Sequence, residues 1–383
     1  TTFSSAITHA RASSATMVDS SGTLVTVGNN VPRTGHHIYN GSAWVNEGIL
    51  HESEARTNLL PTSSVLGYSK INTATSTSTV VSPSGLQDAV LVRPTVATGI
   101  TWVYNTTVFN TGVVTTISTF AKASGKPFVA MANSNGDVIY ASFNLTTGAV
   151  GTVTSGYTAN MEDFGNGWYR CSVTTPTGFN ERAIYAVSDT DGAIAAAANG
   201  NDGILLYGAQ VEAGSTPSSY IPTTSASVTR AAETLTVPAA NLPYDSTNMS
   251  IQIDGKMTYA NSGSVETVGF FRWYLNSGTN IVTRLNTNGT KVGNVYTTGV
   301  GYNSTDVYSP GVKVPFNIAA RYGSTFTNLA TDGTAYTAST YDSASANLSS
   351  TNLKLGDIFM GTIGEFRMWD EDITDAGIVE AST

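Results

Sequence analysis

Charged side chains are scarce in this chain of 383 residues. Asp, Glu, Lys and Arg make up 12% of it, about half of the share in an average soluble protein. Threonine, serine, asparagine and glycine replace them, as is typical of β proteins with hydroxyl-rich outer faces. Hydrophobic residues still reach 40% and are spread along the chain, which excludes an intrinsically disordered protein.

Runs of basic residues are also missing. No cluster of Lys or Arg could neutralise a phosphate backbone, and the formal net charge is −9, so we expect no nucleic acid among the partners. An acidic surface of low charge density suits a neutral partner such as a glycan, although solubility alone would also account for it.

Long apolar runs are missing too. No stretch approaches the roughly 18 apolar residues of a membrane span, and no signal peptide is visible. We expect a protein that is made in the cytoplasm, does not insert into membranes and, lacking a separate anchor, attaches to a larger particle through its own domain surfaces.

Cysteine occurs once, as Cys171, which excludes an internal disulfide framework. It stands in the strand-like run Trp168 to Val173, where we expect it to be a small buried hydrophobe. A nucleophilic cysteine needs a nearby base, and none of the four histidines lies near it in sequence. Nothing supports thiol catalysis.

Residues 1 to 60 alternate short strand-like pieces with turns, and we expect this segment to pack on the first domain. Thr23 to Val27 is a strand candidate that ends at the turn Gly28-Asn29-Asn30. Asn40-Gly41 lies between Tyr39 and Trp44, which predicts a hairpin with the two aromatic side chains facing one another.

Residues 61 to 230 form the first domain, with a period-two alternation of polar and apolar residues between turn signals. The main strand candidates are Asp88 to Arg93, Thr101 to Thr107, Val113 to Ala121, Phe128 to Asn133, Val138 to Asn144, Trp168 to Thr174, Arg182 to Ser188 and Gly203 to Val211. About eight strands in one unit predict a two-sheet jelly roll. The alanine run from Ala193 to Ala198 is either a helical turn or a loop.

Residues 231 to 383 form the second domain, which is also strand-rich. Its candidates are Asn248 to Ala260, Val265 to Leu275, Asn280 to Asn286, Pro315 to Tyr322, Thr334 to Tyr341 and Asn352 to Met368. The predicted fold class is therefore all-β, with two β-sandwich domains.

The two domains are joined by residues 204 to 234, an apolar strand followed by a Gly-Ser-Thr-Pro turn and a Thr-rich linker. The run Gly208-Ala209-Gln210-Val211-Glu212-Ala213-Gly214-Ser215, with Ser219-Tyr220-Ile221-Pro222-Thr223 and Val228-Thr229-Arg230-Ala231-Ala232-Glu233, resembles a segment common in bacteriophage virion proteins, GAQLEAGS to SYIPT to VTRAAD. Further family-like pieces occur in the same order, namely Arg11 to Thr16, Val18 to Gly22, Pro32-Arg33, Glu54 to Leu60, Phe143 to Gly148 and Gly165 to Arg170. The resemblance covers residues 6 to 235 and implies a jelly-roll module of a phage tail or surface protein.

The second domain resembles a different group of sandwiches. Val314 to Tyr322 with Asp332-Gly333, and Ile363 to Asp370 with Ile373-Thr374-Asp375, are similar to concanavalin A-like, laminin-G-type domains. Together the resemblances imply a non-catalytic structural protein on the virion surface, of tail-fibre, tail-tip or head-decoration type. Such a protein would contact other virion proteins and adhere to host-surface polysaccharide. The alternative is a tail enzyme that degrades polysaccharide, a glycoside hydrolase or depolymerase.

Carboxylate spacing argues against the enzyme. Glycoside hydrolysis needs two carboxylates about 5–10 Å apart, one of them with a raised pKa. The acidic residues are scattered, and no spacing puts two of them on one strand face in an apolar setting. We therefore expect no catalytic residues.

Aromatic residues are the candidates for glycan binding, because sugars stack on aromatic rings while polar groups fix their hydroxyls. We single out Trp44, Trp102, Tyr104 and Trp273. In the run from Phe270 to Tyr274, Phe271 and Trp273 share one strand face and Phe270, Arg272 and Tyr274 share the other. The sequence does not say which set faces solvent.

Two oxygen-rich turns are the candidates for a metal. Calcium takes six to eight oxygen ligands, and Asp189, Asp191, Asn201 and Asp202 stand in two Asp/Asn/Gly-rich turns. A structural Ca²⁺ is the cofactor hypothesis, and turn formation alone is the alternative.

Charge-poor blocks point to self-association. Ile71 to Pro83 and Thr95 to Thr119 carry little of the charge or proline that protects exposed strand edges. We expect a homo-oligomer and favour a trimer.

Overall fold

The computed structural model describes residues 6–133, 138–176, 180–245, 247–258, 267–276, 279–286, 291–297, 302–304, 310–340 and 347–383. Within these ranges the protein consists of antiparallel sheets, two single-turn 3₁₀ helices (Val65–Gly67 and Ala239–Asn241) and the α-helix α1 (Thr374–Ala381). Four large sheets pack in two pairs, so the predicted all-β fold with two β-sandwiches is confirmed.

The N-terminal segment contains eight short strands. They are β1 (Thr8–Ala10), β2 (Ala15–Val18), β3 (Leu24–Val27), β4 (Arg33–Thr34), β5 (His37–Tyr39), β6 (Trp44–Asn46), β7 (Ile49–Glu52) and β8 (Arg56–Asn58). Strands β5 and β6 form the predicted hairpin, with Tyr39 directly opposite Trp44.

The first sandwich contains strands β9 to β22. They are β9 (Ser69–Ile71), β10 (Thr73–Thr77), β11 (Val90–Pro94), β12 (Trp102–Tyr104), β13 (Phe109–Asn110), β14 (Thr115–Ser124), β15 (Phe128–Ala132), β16 (Ile139–Asn144), β17 (Ala149–Val153), β18 (Thr158–Asp163), β19 (Tyr169–Thr175), β20 (Asn180–Glu181), β21 (Ile184–Ser188) and β22 (Gly203–Ala213). One sheet has the order β10-β11-β22-β14-β19-β18 and the other β17-β16-β15-β21-β12-β9. Val173 and Val211 from the first sheet meet Val129 and Phe143 from the second in one buried core. Cys171 lies in this core with no exposed surface, as predicted, and the alanine run at 193–198 is a loop.

Strand β23 (Val228–Arg230) lies in the linker, and the second sandwich contains the strands that follow it. They are β24 (Thr234–Val237), β25 (Asn248–Met257), β26 (Thr267–Asn276), β27 (Thr279–Asn286), β28 (Lys291–Thr297), β29 (Tyr302–Ser304), β30 (Pro315–Gly323), β31 (Phe326–Thr331), β32 (Thr334–Ala335), β33 (Ser339–Thr340), β34 (Leu353–Asp357) and β35 (Met360–Trp369). Its sheets have the orders β1-β24-β34-β26-β27-β28-β29 and β32-β31-β30-β25-β35-β7-β4, with β33 beside β31. Trp273 and Leu353 from one sheet pack against Ile251 and Ile318 from the other.

The N-terminal segment does not simply pack on the first sandwich, as the sequence suggested. Strand β1 pairs with β24 in one sheet of the second sandwich, and β7 pairs with β35 in the other. All four residues of β7 are buried, so this strand is an integral part of the sheet. Strand β8 instead pairs with β23 in the linker. The first 60 residues thus complete the second sandwich and lead the chain into the first.

Helix α1 was not predicted from the sequence. Its Ile378 packs on Ala319 and Ala330, on the outer face of β30 and β31. Arg321 on β30 donates to Asp375 in the first turn of the helix (2.7 Å), which fixes it to the sheet. No helix in the described ranges is long and apolar enough to span a membrane.

Candidate functional site: a cleft between the two sandwiches

Three arginines, Arg11, Arg33 and Arg230, meet two glutamates where the sandwiches join. Arg33 donates through Nε to Glu233 Oε1 (3.0 Å), and through Nη2 to Glu233 Oε2 (2.6 Å) and Glu52 Oε2 (2.7 Å). Arg11 Nη1 donates to Glu233 Oε1 (2.5 Å), and Arg230 Nε lies 3.0 Å from Glu52 Oε2. None of the five side chains is more than 3% exposed. We call these five residues the junction cluster.

The junction cluster is almost closed to water, and arginines lie beside both of its carboxylates. Burial alone would raise the pKa of Glu52, but Arg230 and Arg33 lower it to about 2. Burial likewise opposes the ionisation of Glu233, whose pKa is nevertheless lowered by the neighbouring His9 and Arg33. Breaking a buried pair by removing one partner costs about 3–5 kcal/mol, so the cluster holds the N-terminal segment and the linker in one fixed arrangement.

A cleft of about 610 Å³ lies directly beside the junction cluster. It is bounded by the outer face of β18 and β19, the β5–β6 hairpin, the loop at residues 215–220 and the nearest part of the second sandwich. Ser219 connects it to the cluster, since its backbone N–H and its hydroxyl donate to the two oxygens of Glu52 (2.8 and 2.6 Å). The geometry of the cleft therefore depends on the buried charges behind it.

The floor of the cleft is a row of polar residues on two paired strands. Three residues of β18 lie directly opposite three of β19, as Thr158 with Thr174, Asn160 with Ser172 and Glu162 with Arg170. Successive strand residues point to opposite faces, and the intervening Ala159 and Met161 pack on the sandwich core. The six polar side chains therefore share the face that lines the cleft.

Aromatic side chains form a wall of the cleft at one end of this floor. Tyr39 and Phe164 both contact Trp44, each with a ring-centroid distance of 5.3 Å. Phe164 also meets Phe120 edge-on at 4.9 Å, and Phe120 packs against Tyr220, so a continuous series of rings runs from the hairpin to the linker loop. Trp44 is half-buried and lines the cleft.

The loop at residues 215–220 forms a second wall and is held by the floor. Arg170 Nη2 donates to the carbonyl of Ser218 (2.7 Å), and Thr174 donates to that of Ser215 (3.0 Å). Behind the loop, the fully buried Glu212 accepts from the hydroxyl of Ser218 (2.7 Å). These bonds place both ends of the loop against the sheet.

The second sandwich supplies the remaining wall through two ion pairs. Lys313 lies 3.3 Å from Glu162 of the floor, and Lys256 lies 2.5 Å from Glu47, which follows the β5–β6 hairpin. Burial opposes the ionisation of Glu162, but Lys313 and Arg170 lower its pKa. Glu162 is thus ionised beside Lys313, and Lys256 pairs with Glu47, so the cleft offers a polar lining with little unbalanced charge.

His36 also lines the cleft and is uncharged. Burial, with a contribution from Arg33, lowers its pKa to about 4. Its Nδ1 accepts the backbone N–H of Val18 (3.2 Å), so the ring proton resides on Nε2. His36 is a neutral donor at near-neutral pH.

The structure separates the four predicted glycan-binding aromatics. Trp44 lines the cleft, whereas Trp102 and Tyr104 lie on β12 in the opposite sheet of the first sandwich. Trp102 is 3% exposed, and Tyr104 lies beneath the guanidinium of Arg182 (5.8 Å to the ring centroid).

Trp273 departs from the prediction because its side chain points inward. The ring is fully buried in the core of the second sandwich, and its Nε1 donates to the carbonyl of Thr351 (2.7 Å). It presents no ring face to a sugar. Its strand neighbours Arg272 and Tyr274 face solvent instead.

The predicted metal ligands form separate polar contacts. Asp189 accepts from the ammonium of Lys126 (2.7 Å), and Asp191 accepts from Ser142 and from the backbone of Thr152. Asp202 accepts from the amide of Asn199, and Asn201 is exposed in the same turn. Among the described residues, no three His, Cys, Asp or Glu side chains come close enough to share a metal ion. Asp189, Asp191 and Asp202 thus have protein partners, and the calcium site stays a prediction.

Comparison with known proteins found weak structural similarities and no similarity in sequence. No family model matches the sequence, and no curated protein matches it. Domain 4 of AbnA, a GH43 extracellular arabinanase from Geobacillus stearothermophilus in complex with arabinotriose, is 9% identical, with a TM-score of 0.31, 40% of this chain covered and 73% of that one. The CBM40 of the Ruminococcus gnavus IT-sialidase is 13% identical (TM-score 0.29; 36% and 84% covered), and mouse laminin α1 domains LG4-5 are 12% identical (TM-score 0.26; 68% and 83% covered). Because these sequence identities and TM-scores are low, the fold assignment depends on the sheet topology described above.

Proposed function

We propose that this protein is a non-catalytic structural protein of a bacteriophage particle that holds a host-surface glycan in the cleft between its sandwiches. The observation that carries the binding role is the polar floor of β18 and β19 beside an aromatic wall. The virion role is supported by the phage-like segments, whose arginines build the junction cluster. A tail-fibre, tail-tip or head-decoration position on the virion surface, in contact with other virion proteins, is part of the proposal.

The lining of the cleft favours a neutral oligosaccharide. Hydroxyl and amide groups of Thr158, Asn160 and Thr174 can exchange hydrogen bonds with sugar hydroxyls, and the rings of Tyr39 and Trp44 can contact apolar sugar faces. The charged residues at the far wall already neutralise one another. A charged sugar would have to compete with these pairs.

The absence of catalysis is supported by the ionisation of the two glutamates that line the cleft. Burial raises the pKa of Glu212, but that side chain lies behind the loop and accepts from Gln210 and Ser218. A glycosidase needs one carboxylic acid with a raised pKa to protonate the leaving group. Glu52 and Glu162 both line the cleft, and both have lowered pKa values because cations lie beside them. They are poor proton donors at near-neutral pH.

Self-association into a trimer completes the proposal. Strand β10 lies within the charge-poor block from Ile71 to Pro83, and β9 ends where that block begins. Each of these two strands forms one edge of a sheet in the first sandwich. Exposed strand edges of this kind pair readily with other chains. Sedimentation at micromolar concentration tests the oligomeric state, and a monomer under these conditions would refute the proposed trimer.

Retention on an array of immobilised bacterial surface polysaccharides tests the binding role. The full chain should be retained on at least one uncharged polysaccharide, and a reducing-sugar assay on that polymer should detect no cleavage. Locating the chain in an intact phage particle by immunogold labelling tests the virion role separately, and absence from the particle would refute that part.

A further inference from the structure

The outer face of the seven-stranded sheet in the second sandwich carries an unusual row of cations. Arg272 on β26 lies directly opposite Lys354 on β34, and Arg284 on β27 lies opposite Gly269 of β26. Leu353, Trp273 and Leu285, which alternate with them, are buried in the core, so the three cations point outward. The chain has 18 Lys and Arg in all and a net charge of −9, so three cations on one sheet face stand out.

This arrangement is unfavourable for the folded protein by itself. Like charges directly opposite one another on a sheet are destabilising. The described carboxylate that pairs with this row is Asp357, whose Oδ2 accepts from Arg272 Nη1 (3.0 Å). Arg272 and Lys354 remain direct neighbours, and the Arg272 side chain is 40% exposed. Positive charge concentrated in this way would be relieved by an anionic ligand.

An exposed aromatic ring lies within the same row. The guanidinium of Arg272 stacks over the ring of Tyr274 (4.4 Å to the centroid), and Tyr274 is 42% exposed. A guanidinium matches the two oxygens of a carboxylate, and a tyrosine ring contacts the apolar face of a sugar. Ring and cations together therefore fit a sugar that carries a carboxylate.

We propose that this face, formed by Arg272, Tyr274, Arg284 and Lys354, is a second glycan site that binds an acidic polysaccharide. It lies on the second sandwich and is independent of the cleft and of its proposed neutral ligand. Its binding weakens as salt rises, because exposed charges are screened once the Debye length falls to about 8 Å near 0.15 M salt.

The proposal is tested by measuring binding of the full chain to polygalacturonate. Dextran serves as the neutral control polymer, and a DNA oligonucleotide serves as a second polyanion. Polygalacturonate should bind at low salt, dextran should not bind at this face, and Lys354→Gln should weaken polygalacturonate binding about three- to tenfold. Lys70→Gln, the same change on an exposed strand of the first sandwich, should leave that binding unchanged.

Stability measurements separate a binding role from a structural one. Lys354→Gln removes the repulsion with Arg272, so the melting temperature should stay level or rise while binding falls. Equal binding by Lys354→Gln and Lys70→Gln, absence of polygalacturonate binding, or tighter binding of DNA than of polygalacturonate would each overturn the proposal. Substitutions at Thr158 and Asn160 in the cleft should not alter polygalacturonate binding. A negative result for the second site would therefore not refute glycan binding in the cleft.

Discussion

Arg33 and Glu233 lie 200 residues apart in the chain and form a two-bond ion pair in the buried junction between the sandwiches. Because Glu233 also accepts from Arg11 and from the backbone N–H of Glu52, one carboxylate fixes the N-terminal segment against the linker. The cleft is built on this arrangement through Ser219. The stability of the junction and the shape of the binding site are therefore coupled.

Removing the charge of Glu233 should strongly destabilise the protein. Glu233→Gln leaves Arg11 and Arg33 buried beside a neutral amide, and we expect a loss of about 3–5 kcal/mol in the free energy of unfolding. Urea denaturation measures it. Glu365→Gln is the matched control, since Glu365 pairs with Arg367 on the surface, where both side chains are about half exposed, and it should cost less than about 1 kcal/mol. Equal effects of the two substitutions would contradict the role of the junction.

Stability should fall as the pH drops below about 6.5. Burial lowers the pKa of His51 and of His36 from 6.5 to about 4, so the folded state keeps both rings neutral while the unfolded chain takes up protons. Their stabilising effect is complete above pH 6.5 and is lost between 6.5 and 4, with a slope of up to about 1.4 kcal/mol per pH unit for each histidine.

The lowered pKa values of Glu52 and Glu233 extend the same trend to more acidic pH, because protonation of either carboxylate favours the unfolded chain. Urea midpoints measured between pH 8 and pH 5 test the histidine part. His51→Gln should flatten the slope, and a wild-type midpoint that does not change over this interval would rule the mechanism out.

Substitution by alanine should have different effects at two glycines that have similar backbone φ angles. A Cβ at Gly22 (φ +82°) would lie 2.1 Å from the ring of Trp44, whereas a Cβ at Gly41 (φ +94°) would meet nothing within 4 Å. Both changes strain the backbone by roughly 1–2 kcal/mol, but Gly22→Ala alone must displace the ring. We expect altered tryptophan fluorescence and weaker glycan retention for Gly22→Ala, and neither for Gly41→Ala. Identical behaviour of the two variants would show that the position of Trp44 is unimportant.

Two of the predicted tryptophans should separate binding from stability. Trp44→Ala is expected to reduce glycan retention, because the ring forms the cleft wall. Trp273→Phe should lower the free energy of unfolding by roughly 1–3 kcal/mol, since it removes a buried hydrogen bond to Thr351, and should leave retention unchanged. Array binding and urea denaturation of both variants check this, and loss of retention in Trp273→Phe with the fold intact would contradict it.

The alternation of polar and apolar residues was enough to predict most strands of the first sandwich. The turn signal between Tyr39 and Trp44 was enough to predict their hairpin. Strand β18 was missed because Thr158–Asp163 is polar and acidic at an edge, where packing does not demand large apolar residues. That omission hid the floor of the cleft, because three of its six polar side chains stand on β18.

The buried arginines could not be found from local sequence either. Arg11 and Arg230 stand in Ser- and Thr-rich stretches, and Arg33 stands in a Gly/Asn/Pro-containing turn region. Such stretches are typical of surface loops, and the burial of these arginines depends on glutamates elsewhere in the chain. For Trp273 the predicted alternation is correct from Phe271 to Tyr274, but Phe270 also lies in the core, because a β-bulge shifts the register between Gly269 and Phe271. Both sets of residues on β26 contain aromatics, so the pattern did not indicate which set faces the core.

Glycan retention by variants of the cleft floor is the decisive measurement for the proposed binding role. Wild-type protein, Thr158→Ala/Asn160→Ala and the control Thr57→Ala/Thr229→Ala, which alters an exposed threonine pair outside the cleft, would be applied to the same polysaccharide array. We expect retention of wild type and control on an uncharged polysaccharide, loss of retention for the floor variant, and no new reducing ends. Equal retention by all three proteins, or release of reducing ends by the wild type, would contradict a non-catalytic binding cleft.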